Sequence, residues 1–407
     1  MIALYTGVTG LSAHEQAVDV IANNIANINT TAYKAGRASF EDALSETISG
    51  GTEGTNPMQI GLGVTLGAID PNMTQGSLQA TGRATDMAVV GSGFFVLGEG
   101  DNVCYTRAGN FGLDGSNRLV SLANGMSVLG WQADPVTGAV NTSTTINGSS
   151  TINVPIGTRA LARASSNVVY QANLDSNTAV GNTVDTSFYV YDSLGNSHRV
   201  DLAFTKTADN TWGWVATGAD ADPAVAPAAG TLVFDEHGQN TTPTAPCSLA
   251  LLAPGGATSP IDFAVDFGSV TQLAGDSSIR AVSQDGLSIG WLESFTIDDT
   301  GLITGSFSNG MTQALGQIAM ASFTNPTGLL RTGGNNYLPS PNSGVPHITT
   351  AGHGGCGTVS SGYLEMSNVN LAEEFANLIV TQRGFQANSR IISTADEMLQ
   401  EVVTLKR

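Results

Sequence analysis

Basic residues are scarce in this chain. Against 34 acidic side chains stand only 15 lysines and arginines, a net charge of −19, and no basic cluster or stripe forms anywhere. Polyanions are bound through such stripes, so no nucleic-acid partner is expected and anionic membranes are poor partner candidates. Cysteine is equally sparse. Cys104, Cys247 and Cys356 are scattered and odd in number, which excludes a disulfide framework. No apolar run approaches the roughly twenty residues that span a bilayer, so membrane insertion is not expected. The first lysine is Lys34 and the early apolar residues are spaced, not continuous, so a cleavable secretion signal is not expected either.

Catalytic constellations are missing as well. His353 and Cys356 have the spacing of half a metal site, but no second half accompanies them. Ser197 beside His198 lacks the surroundings of an activated nucleophile, and Asp298-Asp299 before Thr300-Gly301 reads as turn chemistry. The Gly91-Ser92-Gly93 cluster has neither dinucleotide spacing nor a phosphate-binding lysine. The expectation is a protein without enzymatic activity, metal or cofactor.

What the chain does have is a pair of periodic ends. Asn370 is placed to cap a helix running to Arg407, with Glu373 at the reciprocal capping position and Glu374 adding charge that suits a helix N-terminus. Leu371, Leu378, Phe385, Ile392 and Leu399 recur at every seventh residue, and Phe375 and Val402 belong to a second, interrupted column. Gly384 inside this helix costs about 1 kcal/mol relative to alanine, which predicts that a neighbouring backbone comes close there. At the other end Leu4, Leu11, Val18 and Ile25 repeat at the same interval, with His14, Ile21 and Ile28 alongside. Both ends need a helical partner, and pairing with each other is the simplest solution. The seam residues are candidate assembly contacts.

Specific motifs lie on these helices. Asn23, Asn24, Asn27 and Asn29, followed by Thr31-Ala32-Tyr33-Lys34, close the first helix; asparagine side chains compete for backbone hydrogen bonds and favour its termination. Gln382-Arg383-Gly384-Phe385-Gln386-Ala387-Asn388 and Thr394-Ala395-Asp396-Glu397-Met398-Leu399 lie on the last helix. Together these stretches resemble the N-terminal and C-terminal signatures of the bacterial flagellar rod and hook proteins. Ala32 stands where that family usually has glycine, and Gly384 where alanine is common. Phe40-Glu41-Asp42-Ala43-Leu44 is similar to the short pattern through which early flagellar substrates meet the export gate, although a single helical turn packing Phe40 and Leu44 together also explains it.

The period shifts toward two from about residue 73. Met87–Leu97 reads as two strands joined by the Gly-Ser-Gly turn, and Tyr105–Phe111, Leu113-Asp114-Gly115 and Gly130-Trp131 continue a β-rich body. That body resumes around Leu292–Asp298, Gln317–Pro326 and Gly334–Tyr337. Between them Phe188, Val190, Val200, Leu202 and Phe204 alternate about Asp192-Ser193-Leu194-Gly195-Asn196, a hairpin signal, while Ala219–Pro227 and Thr241–Pro246 read as irregular.

The predicted architecture is mixed: a discontinuous α-helical coiled-coil terminal domain plus two mainly β domains, the second inserted in the first. Its parts are residues 1–29 with 364–407, a linker with local structure at 30–72, an inner β domain at 73–145 with 287–363, and an outer β domain at 146–286. The resemblance implies a structural subunit that polymerises with itself into a torque-transmitting tube. It also implies a place in the extracellular flagellum reached through the flagellar export apparatus, with rod, cap and junction proteins as neighbours. The chain's size and outer domain favour the hook members over the shorter rod members. A distal rod or rod-like axial protein is the near alternative, and a secreted β-rich adhesin or enzyme the distant one.

Overall fold

Residues 2–51, 56–135, 137–157, 160–242, 244–251 and 255–404 are described by a computed structural model of the chain. Ile2–Ala26 (α1) and Leu371–Thr404 (α2) are its two α-helices among these residues. α1 stops where the asparagines begin to bond locally: the Asn27 amide donates to the carbonyls of Asn23 and Asn24, and Asn27 Nδ2 donates to Asn23 O at 2.9 Å and Asn23 Oδ1 at 2.7 Å. Ile28, expected in the seam, therefore lies beyond the helix. α2 starts as its cap predicts, with the Ala372 amide donating to Asn370 Oδ1 at 3.2 Å. Residues 405–407, the expected helix end, fall outside the described residues.

The chain divides into two compact units, one of 1–154, 296–304 and 314–407 and one of 155–295 and 305–313. The second begins later than the sequence signals suggest, because Ile152 and Val154 are buried against strands of the first: Leu119 N–H bonds to Ile152 O and Val154 N–H to Asn117 O.

The second unit is a pair of four-stranded sheets around one core. Thr183–Tyr191, Ser197–Ala208, Thr211–Gly218 and Ala228–Val233 form an antiparallel meander. Thr244–Leu249, Ile261–Thr271, Asn167–Asn173 and Ser278–Gln284 form the other sheet, with the middle pair parallel. The alternating residues read from sequence all point inward: Phe188, Val190, Val200, Leu202 and Phe204 pack with Tyr170, Trp212, Trp214 and Phe267. Truncating one of these buried aromatics to alanine costs about 3–5 kcal/mol. The expected irregularity at Thr241–Pro246 is partly wrong. Thr244–Leu249 is a strand that includes Pro246, tolerated because it runs along the sheet edge.

In the first unit, strands of the β body surround Phe94, Tyr105, Trp131, Phe323 and Tyr337. Met87–Val90 and Phe94–Glu99 are strands, as the pattern indicates, but not partners of each other. The former pairs with Thr358–Ser361 and the latter with Asn102–Thr106. The turn between them opens instead of folding back, and the Arg107 guanidinium occupies it, donating to the carbonyls of Gly91 and Gly93.

After α1 the segment up to residue 72 is mostly β. Gly36–Asp42 pairs with Val64–Pro71, and Ser45–Ser49 with Met58–Gly61. Every residue of the latter two strands is exposed. Phe40 lies on a strand and Leu44 just past its end, so the helical turn considered for them does not form. Of the Gly50–Gly54 breaker cluster, residues 52–54 lie outside the described residues.

Candidate assembly interface

α1 and α2 lie against one another. The face of α1 that is covered runs through Gly7, Gly10, Ala13, Ala17, Ile21 and Asn24. Opposite it α2 offers Glu374, Leu378, Thr381, Gly384, Asn388, Ile392 and Ala395, of which only Ala395 is fully buried. Small residues set the close approach. A methyl group at Gly10 would lie 2.6 Å from Asn388 Nδ2, and one at Gly384 would lie 2.7 Å from the His14 ring. Gly384 thus makes room for a side chain, not for the backbone that the sequence suggested. Phe40 flanks the same imidazole, with ring centroids 5.7 Å apart.

Of the seven-residue columns, Ile21, Leu378 and Ile392 join this line and the rest sit beside it. Leu4, Leu11, Val18 and Ile25 are half-buried, and Ile21 alone of the predicted α1 seam is buried. On α2, Leu378 and Ile392 are partly covered, whereas Leu371, Phe375, Phe385, Leu399 and Val402 are exposed. Tyr5, Val8, Ile379 and Val380 add to the exposed apolar surface, Val380 at 69%. Intramolecular pairing uses one stripe of each helix and leaves the bulky column of α2 largely uncovered. The small-residue line was legible as the spacing Gly7, Gly10, Ala13, Ala17, but a search for large apolar residues passes over it.

The signature residues divide in two. Gln382, Arg383, Gln386, Ala387 and Asp396 are exposed on the outer side of α2, Asp396 accepting from Gln400. Asn388 faces α1. Asn23 and Asn27 finish α1, and Asn29 is exposed. Asn24 is buried and makes four hydrogen bonds. Its amide donates to Gly36 O at 2.8 Å and Glu374 Oε1 at 3.0 Å, while its oxygen accepts from Gly36 N–H at 2.9 Å and Tyr33 OH at 3.2 Å. Desolvation pushes the Glu374 carboxyl up, the Asn24 bond opposes this, and Glu373 adds to it. Tyr33 lies beneath the Arg331 guanidinium, 5.5 Å from the ring centroid. Ala32, where glycine is usual in the resembling family, adopts φ +56° and is fully buried.

Where both helices meet the β body, charges that the sequence reading did not single out converge. Lys34 Nζ lies 2.6 Å from Glu365 Oε1, and Arg107 Nη1 3.4 Å from Glu365 Oε2. Burial pushes the Lys34 ammonium down, against the pull of Glu365. Asn368 closes the same junction: its oxygen accepts from Ala35 N–H, and its amide donates to Asn72 O and Thr74 O. An open groove of about 800 Å³ lies beside it, lined by residues of α1, α2 and the Gly36–Asp42 ribbon.

The chemical pairs considered from sequence resolve into local structure. His198 lies 3.1 Å from Asp220 Oδ2 and 3.4 Å from Asp192 Oδ2, on the hairpin of the second unit. Burial opposes ionisation of Asp192, but bonds from Asn196, His198 and Leu194 outweigh it and hold its carboxyl below the usual range. Asp298 Oδ1 accepts from the amides of Thr300 and Leu302, an ordinary turn. His353 Nδ1 sits against Thr350 and Ala351, and burial raises the Cys356 thiol.

Comparison with known proteins covers the chain from end to end. Four family descriptions match in turn: "Flagella basal body rod protein" at residues 4–34, "Flagellar hook protein FlgE/F/G D1 domain" at 88–167, "Flagellar basal body protein FlaE D2 domain" at 162–287 and "Flagellar basal body rod FlgEFG protein C-terminal" at 360–405. The flagellar hook protein FlgE of Borreliella burgdorferi is 39% identical over 449 aligned positions, covering 100% of both chains. That of Treponema pallidum is 38% identical, again over 100% of both. The crystal structure of Helicobacter pylori flagellar hook protein FlgE2 superposes with a TM-score of 0.53 at 16% identity, covering 71% of this chain and 100% of that one.

Proposed function

The chain belongs to the flagellar hook protein family, and from that premise we propose that it is the structural subunit of a hook: it polymerises into a flexible, curved tube that transmits torque from rod to filament. The observation that carries this reading is the uncovered apolar column on a helix already paired along another face. Leu371, Phe375, Phe385, Leu399 and Val402 remain in water when α1 and α2 pack together. Exposed large apolar side chains aligned along one helix mark an interaction site, and a seven-residue repeat specifies helices as its partners. Copies of the same chain supply such helices.

In this reading the two ends form one discontinuous coiled-coil domain, the β body follows it, and the second unit is an outer domain inserted in that body. Inner helices resist twist while outer β surfaces slide past neighbours, and sliding needs many contacts of similar energy. A surface with few charges suits that. Rod, cap, junction and export apparatus proteins are the further partners, with Phe40 and Leu44, both exposed, as the export contact. The hook lies outside the cell, and export through the flagellar apparatus needs no cleaved signal.

Electron microscopy of the concentrated full-length chain, beside a chain lacking residues 1–29 and 364–407, tests the proposal. Curved tubes from the full-length chain alone are the expected result. Straight rigid rods would favour the rod-like alternative, and assembly by the shortened chain would remove the role assigned to the helices.

A further inference from the structure

Three charged side chains from positions 34, 107 and 365 meet out of water, with exposures of 0%, 5% and 0%. Such burial is costly, and an apolar trio of the same volume is often as stable or more so. Stability alone does not explain the charges. What distinguishes them from apolar contacts is direction. Glu365 Oε1 accepts from Lys34 Nζ at 2.6 Å and from the Gly76 amide at 2.9 Å, and Lys34 Nζ also donates to Thr74 O at 2.7 Å. Arg107, on the other carboxylate oxygen, is itself fixed by Gly93 O at 2.9 Å. One residue further along the chain lies the segment that leads into α2, and the Glu365 carbonyl accepts from Ala32 N–H in the segment that leaves α1.

We propose that Glu365 is a positioning residue: its carboxylate fixes the exits of both terminal helices to the β body in one register, so that twist passes from one to the other without slack. The inference rests on the hook reading for its purpose, not for its structural content. Apolar side chains in the same space would fill it but would permit small rotations and slides, since dispersion contacts have no preferred angle.

The test separates position from stability. Spin labels at Glu15→Cys on α1 and Ala123→Cys in the β body, both exposed sites, report their distance distribution by double electron–electron resonance; the three native cysteines are buried. Measurement is made on the full-length chain below its assembly concentration. Glu365→Gln leaves two buried cations facing a neutral amide, so it lowers Tm by about 10 °C and broadens the distribution. Lys34→Met keeps the neutral Glu365–Arg107 pair, the Gly76 bond to Glu365 and the Arg107 bonds to Gly91 O and Gly93 O, and Thr74 O still accepts from Asn368, so Tm stays within a few degrees while the distribution becomes roughly twofold broader. A Lys34→Met chain as narrow as the parent overturns the proposal. Should Lys34→Met not fold, Glu365→Gln decides the matter: broadening supports the proposal and parental width overturns it. Absence of tubes from the parent chain would instead count against the hook reading and leave this result standing.

Discussion

Asn24 holds α1, the Gly36 backbone and α2 together with a single amide. Asn24→Ala leaves the Gly36 N–H and C=O without their partner in a half-buried place, and a loss of about 2–3 kcal/mol is expected in chemical denaturation of the full chain. Asn24→Asp separates shape from charge. The introduced carboxylate retains the acceptor for Gly36 N–H but turns a negative oxygen toward Gly36 O and Glu374. It is therefore more damaging than alanine at pH 7 and recovers on acidification, when the carboxyl gains a proton to donate. Equal losses at pH 7 and pH 5 would contradict this. Gly384 carries a second prediction at the same scale. Alanine there gains about 1 kcal/mol of helix propensity but displaces the His14 ring, so Gly384→Ala is destabilising on its own and stabilising by about 1 kcal/mol when combined with His14→Ala. A double-mutant cycle with no coupling would show that ring and glycine do not compete. Ala32 explains how alanine stands in for glycine: a left-handed residue costs about 1–2 kcal/mol, partly offset by about 0.8 kcal/mol from its buried methyl group.

At the scale of elements, the first turn of α2 is pH-sensitive. The Glu374 carboxyl titrates higher in the folded chain than in the unfolded one, because desolvation outweighs the Asn24 bond. The folded state thus holds that proton more tightly. Its contribution is complete below the unfolded value and is lost as pH rises through the folded one. Glu374→Gln keeps an acceptor for Asn24 without the charge, so it should remove this part of the acid-side gain in helix-pair stability, read as amide exchange along α1. An unchanged pH profile in the variant would assign the titration elsewhere. The strands show where sequence patterns end. Alternation located the 183–208 hairpin and its inward residues, because both partners are adjacent in sequence and the Asp192–Asn196 turn joins them. It located Met87–Val90 and Phe94–Glu99 too but not their partners, since the residue that holds their turn open, Arg107, comes from the next strand's end.

For the whole molecule the net charge of −19 sets a condition on assembly. Copies repel one another at low salt, and raising ionic strength from 0.01 to 0.15 M shortens the screening length from about 30 to about 8 Å. Polymerisation, followed by light scattering, is therefore expected to begin at lower protein concentration as salt rises. A shift in the opposite direction would mean that opposite charges, not apolar columns, join the subunits.

Local chemistry was enough for the sequence to determine the helix at each end, the cap at Asn370, the asparagine stop after Ala26, the alternating strands of the second unit and the resemblance at both termini. Each depends on residues within a few positions of one another. Tertiary structure alone decided that Gly7, Gly10, Ala13 and Ala17 would meet α2, and that of its seven-residue column only Leu378 and Ile392 would face them. It also brought Lys34, Arg107 and Glu365 to one point and made Asn24 and Asn368 the ties of the junction. The reason is physical. A lone charge carries no periodic signal, and a spaced line of small residues does not say what fills the space beside it; both are decided only by a partner far along the chain, as with Lys34 and Glu365, separated by 331.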